Sequence, residues 1–423
     1  MANHRFVAPA LAAAVILAGC AHPVTSTGTI KAATSAAAKL AASRFPVGDY
    51  DNGGASRRLM VVKLAGRELP LALTRQTRGG PRVVQRIPQL GVVVVEIGPG
   101  LDVADAVADF KIDRAVRYAE PVNLVTLERE VNDPRAGEQY ATQITHVREA
   151  WDVQMGTPNT VVCIIDSGID VGHPDLKAKI VPESYNVLDH NNKPNDDHGH
   201  GTHCAGIAAA LADNNEGGTG VAPGVGLMSV KVLDAAGRGN DASIAEGIVY
   251  AADHGAKVAS MSLGLYKRSK VIEDALQYAL DHDVVLVASA GNNNAENDPT
   301  TAPHLPSTYP GVIEVAATDG KDQKASFSNF GKTVSVAAPG VDILSTLPTY
   351  DVGRPLSYGK MSGTSMASPF VAGLAGLVRS QFPELNREQV RARIEASADD
   401  LGTPGIDKVF GHGRVNGFKA VTP

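Results

Sequence analysis

Continuous apolar runs recur through the C-terminal two-thirds of the chain and predict buried strands. Four runs are apolar on both faces of an extended chain: 160–165, 226–233, 258–262 and 284–289. Between them, residues 241–254 and 270–282 have helical spacing. Strands that are apolar on both faces and alternate with helices predict an α/β domain, a parallel sheet with helices on both faces. We assign this domain to residues 131–423.

Residues 57–130 have a different pattern, which predicts a small α+β unit. Strand-like runs occupy 59–64, 91–97 and 115–121, and residues 101–110 have helical spacing. This order is typical of a βαββαβ, ferredoxin-like unit. Its first half carries eight basic residues against Glu68 alone: Arg57, Arg58, Lys63, Arg67, Arg75, Arg78, Arg82 and Arg86.

The N-terminus has the pattern of an export signal. A weakly positive start precedes an apolar stretch, 7–17, that is too short to span a membrane as a mature helix. The stretch ends in Leu17-Ala-Gly-Cys20, which resembles the lipobox of bacterial lipoproteins, where the cysteine is lipidated. An ordinary signal peptide is the alternative. We assign 1–20 to a signal peptide and 21–56, rich in Ala, Ser, Thr and Gly, to a flexible tether.

This N-terminus predicts export and a membrane anchor through lipid at Cys20. Ala21 follows the cysteine, which resembles signals for the outer membrane, facing the periplasm, if the cell is Gram-negative. Release into the medium is the other destination. The chain has 423 residues and a net charge of −6, with no basic stripe in the α/β part, so nucleic-acid binding is not expected.

Three residues at the ends of apolar elements suggest nucleophilic catalysis. Ser365 lies in Gly-Thr-Ser-Met-Ala-Ser-Pro, 363–369, before an apolar helix, where a serine could also serve as a helix cap. Asp166 ends an apolar strand, and His200 begins another apolar helix. An acid, a base and a hydroxyl are the parts of a serine-hydrolase triad.

The order Asp, His, Ser separates two classes of hydrolase. An α/β-hydrolase has the order Ser, Asp, His and the motif Gly-x-Ser-x-Gly, whereas Ala367 stands at the last position here. Six segments resemble the subtilisin-like serine proteases (peptidase S8), especially the thermitase and proteinase K branches: 166–170, 173–176, 200–206, 261–264, 288–292 and 363–369. The resemblance implies a serine endopeptidase that acts on polypeptides, and we expect a monomer.

The resemblance also implies roles for individual residues. Ser365 would be the nucleophile, His200 the base, and Asp166 the group that orients His200. Asn292 would donate to the oxyanion, together with the backbone N–H of Ser365. Residues 57–130 would be an inhibitory propeptide, with 121–127 lying in the cleft and cleavage near 126–132. Its basic first half would favour association with an acidic catalytic part.

The substrate would add a strand between two exposed segments. The residues implied on the two sides, and around the P1 side chain, are Gly237, Arg238, Gly239, Ser262, Leu263, Gly264, Ser289, Ala290 and Gly291. Since no carboxylate is obvious among them, we expect a medium or large apolar P1 residue. Leu265 and Asp241 depart from the family pattern, where a glycine and an aromatic residue are common.

A structural Ca²⁺ site is implied as well, since carboxylate, amide and carbonyl oxygens suit this ion. The matching residues are Asp133, Asp175, Leu211, Asn214, Glu216 and Gly218. No catalytic metal is expected. The alternative, a zinc hydrolase, would use His198, His200, His203 and Cys204, but the chain has no HExxH.

Cysteines other than Cys20 occur at two positions, 163 and 204. Cys163 and Cys204 are expected in the core, and we predict free thiols, although a disulfide is possible in an exported protein.

A lipoprotein pseudoprotease that serves as a binding scaffold is the remaining alternative. Nothing in the sequence favours it, because every catalytic position is filled.

Overall fold

The computed structural model describes residues 55–66, 68–74, 80–123 and 131–422. The predicted signal peptide, Cys20, almost all of the predicted tether and the residues 124–130 next to the predicted cleavage site lie outside these ranges, as do Arg67, Arg75 and Arg78. Among the described residues, no helix is both long enough and apolar enough to cross a membrane.

The N-terminal unit has the predicted βαββαβ order. Its elements are β1 Ala55–Leu64, α1 Leu71–Thr74, β2 Arg82–Ile87, β3 Val92–Glu96, α2 Val103–Ile112 and β4 Val116–Asn123. The strands form an antiparallel sheet in the order β2-β3-β1-β4. Met60, Val62 and Val95 of the sheet and Phe110 of α2 form its own buried core. The Asp102 side chain caps α2 by accepting from the Ala104 N–H at 2.7 Å.

The C-terminal domain is built on a seven-stranded sheet in the order β13-β11-β9-β8-β5-β7-β6. All its strand pairs are parallel. The strands are β5 Val161–Asp166, β6 Tyr185–Asn186, β7 Gly226–Lys231, β8 Val258–Met261, β9 Val285–Ser289, β11 Ile313–Thr318 and β13 Val334–Pro339. The predicted parallel sheet with helices on both faces is therefore confirmed.

Helices and short strands complete this domain. The helices are α3 Tyr140–Ile144, α4 Val147–Ala150, α5 His200–Ala209, α6 Asp241–Asp253, α7 Lys270–Asp281, α8 Thr364–Gln381, α9 Arg387–Ala396 and α10 Gly417–Val421. Two small sheets pair β10 Glu296–Asn297 with β12 Phe330–Gly331, and β14 Ile343–Thr346 with β15 Tyr358–Met361.

Strand β5 shows how the sheet separates two cores. Val162 and Ile164 pack with α5 and α8 in one core, whereas Cys163 and Ile165 pack with α6 and α7 in the other. Successive side chains of a strand point to opposite faces, so a strand covered on both faces must be apolar at every position. This explains why the runs that predicted these strands do not alternate.

Helices α5 and α8 approach each other closely in the first of these cores. A Cβ atom at Gly373 of α8 would lie 2.6 Å from the carbonyl oxygen of Ala208 in α5. Glycine at this position therefore lets the two backbones meet without an intervening side chain. Since α5 begins with His200 and α8 contains Ser365 in its first turn, this contact helps fix the position of the predicted base relative to the predicted nucleophile.

Candidate active site

Asp166 and His200 form a hydrogen-bonded pair at the carboxyl end of β5. The Oδ1 atom of Asp166 lies 2.8 Å from Nδ1 of His200 and also accepts the Ser167 N–H at 2.7 Å. Asp166 is fully buried, and His200 stands at the first position of α5. In sheets of this kind, ligands bind at the carboxyl ends of the parallel strands. The pair of Asp166 and His200 therefore lies at the edge of the sheet where a ligand is expected.

Asp196 holds the start of α5 in place. Its Oδ1 atom accepts from the Ser167 hydroxyl at 2.9 Å and from the Gly199 N–H at 2.8 Å. Its Oδ2 atom accepts from the Thr202 N–H at 2.9 Å and the Thr202 hydroxyl at 2.7 Å. Asp196 is itself buried. Sequence reasoning missed this residue because a single carboxylate before a histidine motif carries no local signal.

The environment of His200 favours its charged form. Burial lowers the pKa of His200, but the charge of Asp166 and the hydrogen bond to it raise it by more, so the pKa lies well above its usual 6.5. An imidazole whose Nδ1–H is held by a carboxylate presents Nε2 as the atom that accepts a proton. His200 is therefore equipped to act as a general base once it is neutral.

Ser365 lies in the first turn of α8. Its hydroxyl donates to the carbonyl oxygen of Ser262 at 3.4 Å, and its own carbonyl accepts from the Ser262 hydroxyl at 2.8 Å. The N-cap is Gly363, so the interpretation of Ser365 as the helix cap is wrong. The N–H groups of a first helical turn have no acceptor within the helix, which leaves the Ser365 N–H available to a ligand.

Thr364 fixes the amide orientation of Asn292. Asn292 Oδ1 accepts from the Thr364 N–H at 2.8 Å and from the Thr364 hydroxyl at 2.9 Å. The same hydroxyl oxygen accepts from the Gly291 N–H at 3.1 Å. Because Oδ1 accepts from both donors of Thr364, the amide group Nδ2 of Asn292 points away from Thr364 and is the part that can donate to a ligand. The sequence motif pointed to Asn292 but not to Thr364 as its support.

An open groove of about 510 Å³ runs beside His200. Its walls include both predicted substrate segments: Gly237, Arg238, Gly239, Ser262, Leu263 and Gly264. His198 and Ile244 also line it. Residues from both segments predicted to pair with an extended peptide therefore line one open groove beside His200.

Ser289, Ala290 and Gly291 lie beyond this groove, at the end of β9. The Ala290 N–H donates to Val315 O at 3.0 Å, and the Ala290 carbonyl accepts from the side chains of Asn297 at 2.7 Å and Asn329 at 3.0 Å. A residue that sequence reasoning did not name, His304, lies next to both Gly264 and Gly291. His304 belongs to a loop outside both of these segments, and no sequence motif indicated that it would lie beside the two glycines.

The predicted calcium ligands gather around the loop that follows α5. Asp133 accepts from the backbone N–H groups of Asp213 at 2.8 Å and Asn214 at 3.0 Å. The Asn214 side chain contacts Asp175 Oδ1 at 2.7 Å, and the hydroxyl of Tyr358 donates to Asp175 Oδ2 at 2.9 Å. Leu211, Glu216 and Gly218 belong to the same loop.

The electrostatics of this cluster suit a cation. Asp133 and Asp175 are both buried, and burial raises the pKa of Asp175, with the charge of Asp133 adding to the effect. Two buried carboxylates are stabilised when a cation shares them. Asp133 and Asp175 therefore suit a cation, whereas Asn214 turns Nδ2 toward Asp175 and accepts the Glu216 N–H with Oδ1 at 3.1 Å.

Only two of the four predicted zinc candidates, His200 and Cys204, come together in the described part of the chain. His203 Nε2 lies 3.1 Å from the carbonyl of Gly359, and burial lowers its pKa to about 3. The one group of potential metal ligands found there joins His200 and Cys204 to Asp166. His200 Nδ1 already bonds to Asp166.

Both described cysteines are free and buried, as predicted. Cys204 Sγ lies 3.9 Å from His200 Nδ1 and donates to the Ser365 carbonyl at 3.4 Å. Cys163 belongs to the core on the other face of the sheet. Burial raises the pKa of both thiols.

The chain belongs to the subtilase family of serine proteases: the family model for peptidase S8 matches residues 157–413. A second model, that of the fervidolysin N-terminal prodomain, matches residues 61–122. The predicted enzyme class and the presence of a prodomain are therefore confirmed.

Three similar proteins illustrate the relationship. A thermophilic serine proteinase of Bacillus sp. (strain AK1) is 44% identical over 308 residues, 73% of each chain. Thermitase of Thermoactinomyces vulgaris is 43% identical over 291 residues, 69% of this chain and 98% of thermitase. The crystal structure of fervidolysin from Fervidobacterium pennivorans, a keratinolytic enzyme, aligns with a TM-score of 0.63 at 30% identity, covering 88% of this chain and 62% of that one.

Proposed function

We propose that this subtilase is an endopeptidase in which Asp166, His200 and Ser365 form the triad. The hydrogen bond of 2.8 Å between Asp166 and His200 carries the proposal, and Cys204, which contacts both His200 and the Ser365 carbonyl, brings Ser365 to the same place. The adjoining groove supports polypeptide substrates, because it is lined by the two segments that are expected to pair with an extended chain.

The reaction proceeds in two halves. His200 takes the hydroxyl proton of Ser365 as its Oγ attacks the scissile carbonyl carbon. Asn292 Nδ2 and the Ser365 N–H stabilise the oxyanion, and His200 then protonates the leaving amine. Water, activated by His200, hydrolyses the acyl-enzyme and restores Ser365. Asp166 holds the tautomer of His200 throughout.

Casein hydrolysis by the wild type and by Ser365→Ala tests the proposal. The wild type should digest casein and lose activity to a serine-reactive phosphonate, and the variant should be inactive while retaining the melting temperature of the wild type. A zinc-selective chelator should have no effect. An inactive wild type that still binds casein would instead support the scaffold alternative.

The N-terminal unit is proposed to act as an inhibitory propeptide, so that the enzyme is made as a zymogen. Support comes from its own core and from the match to a prodomain family. Two basic residues of its first half, Arg58 and Arg82, form ion pairs with the same carboxylate, Glu96, at 2.7 and 2.5 Å. N-terminal sequencing should show a mature chain that begins near 126–132, and only the uncleaved chain for Ser365→Ala. A fully active intact chain would refute this role.

Calcium is proposed as a structural ion held by Asp133, Asp175 and Asn214, with the carbonyls of Leu211, Glu216 and Gly218. When bound, the ion would neutralise the two buried carboxylates and tie the loop after α5 to the N-terminal end of the domain. No catalytic step requires it.

Export with a lipid anchor at Cys20 is proposed on the sequence motif alone. Labelled palmitate should enter the wild type and not Cys20→Ala, and the variant should leave the membrane fraction. Labelling of neither protein, with a soluble wild type, would favour the ordinary signal peptide.

A further inference from the structure

His304 lies between the two segments that are proposed to bind the P1 side chain. The neighbouring residue, Leu305, exchanges two backbone hydrogen bonds with Leu265, at 2.8 and 3.0 Å, directly after Gly264. A Cβ atom at Gly264 would overlap His304 Nε2, and one at Gly291 would lie 3.1 Å from the same nitrogen. The imidazole ring therefore fills the space that separates the two glycines.

The ring is held firmly in this position. His304 is 3% exposed, and its Nδ1 atom lies 3.0 Å from the Ser307 hydroxyl. The His304 carbonyl accepts from the Thr308 N–H at 3.0 Å and the Ser307 hydroxyl at 2.9 Å. The carbonyl bonds hold the backbone of His304, and a ring that swung away would lose its contact with Ser307 and open a cavity in the domain.

Tyr266 closes the outer side of the same space. Its ring centroid lies 4.6 Å from that of His304, and its hydroxyl would lie 2.8 Å from a Cβ atom at Gly291. Burial lowers the pKa of His304 to about 4, so the ring is neutral at neutral pH. A neutral ring that is fixed in position affects the binding of a substrate side chain through the volume that the ring occupies.

We propose that His304 is a specificity-determining residue that restricts P1 to small side chains: alanine, serine and glycine. The inference rests on the proposed function and on the substrate residues implied by the family resemblance, in which 262–264 and 289–291 line the P1 site. A methyl group at P1 ends before it reaches the ring, whereas a phenyl or isobutyl group needs the volume that the ring occupies. This preference differs from the medium or large apolar P1 expected from sequence.

Substrates of the form succinyl-Ala-Ala-Pro-X-p-nitroanilide, with X as Ala, Leu or Phe, test the proposal. The wild type should have a kcat/KM for Ala that exceeds that for Phe by about 10-fold or more, the scale on which apolar pockets discriminate. His304→Gly should shift this ratio toward Phe and Leu by about 10–200-fold. His304→Phe, which keeps the volume and removes the nitrogens, should retain the preference for Ala.

The outcomes separate this inference from the proposed function. A wild type that cleaves the Phe substrate as well as the Ala substrate overturns the role of His304, and so does a ratio unchanged in His304→Gly. Loss of all cleavage in Ser365→Ala belongs to the proposed function and holds for every X. If His304→Gly does not fold, His304→Asn provides a smaller change in volume, and the wild-type ratio decides independently.

Discussion

Thr364 donates two hydrogen bonds to Asn292 Oδ1, one from its backbone N–H at 2.8 Å and one from its hydroxyl at 2.9 Å. The residue beside the nucleophile thus orients the side chain that is proposed to stabilise the oxyanion. A donor that is already aimed at the developing charge needs no reorganisation during the reaction, which is the source of its effect on rate.

Replacing Asn292 by Ala should lower kcat by about 10²–10³-fold, with a small change in KM, since the lost bond forms mainly in the transition state. Steady-state kinetics on a peptide anilide measures both constants. A proportional rise in KM with constant kcat would show that Asn292 binds the ground state instead.

Thr364→Val should lower kcat by about 10-fold, because it removes one of the two bonds that orient the amide, each worth about 0.5–1.5 kcal/mol. Thr364→Ser keeps the hydroxyl and serves as the matched control. If Val and Ser variants have the same kcat, the hydroxyl does not position Asn292.

The activity should depend on pH through His200. The base must be neutral to accept the Ser365 proton, and its pKa lies above 6.5 because of Asp166. Therefore kcat/KM should fall as pH decreases, with a midpoint above 6.5. Asp166→Asn should lower kcat by about 10⁴-fold and move this midpoint down. A wild-type midpoint below 6.5 would contradict the assignment of His200.

Removal of calcium should destabilise the catalytic domain. EDTA should lower the melting temperature of the wild type, because Asp133 and Asp175 then share their site without a cation. Asp175→Asn should start from a lower melting temperature and respond less to EDTA. Asp189→Asn, in a loop that sequence reasoning did not assign to calcium, is the control. Equal EDTA shifts in all three proteins would eliminate this site.

A mercurial should inactivate the enzyme through Cys204, whose sulfur lies 3.9 Å from His200 Nδ1 and contacts the Ser365 carbonyl. Cys204→Ala should resist the reagent. Cys163→Ala should remain sensitive, since Cys163 is equally buried but faces the other core. Residual activity after treatment is the measurement, and protection by the Cys163 substitution would reverse the assignment.

Sequence predicted four of the seven strands of the large sheet, β5, β7, β8 and β9, and it pointed to the proposed triad, because these features leave local signals. Strand β5 is apolar on both faces, and Asp166, His200 and Ser365 each lie in a recognisable motif at the tip of an element. His304, Thr364 and Asp196 could not be predicted, since their roles depend on contacts with residues that are distant in the chain. The short elements α1 and β2 were not located by the pattern, because their few residues include polar ones.

The contact between Gly373 and Ala208 links core packing to chemistry. The spacing of base and nucleophile is a property of two helices that touch through bare backbone, so a single methyl group in the interior can separate the reacting atoms. A side chain at position 373 should therefore cost turnover together with stability, because relieving this overlap moves α5 relative to α8.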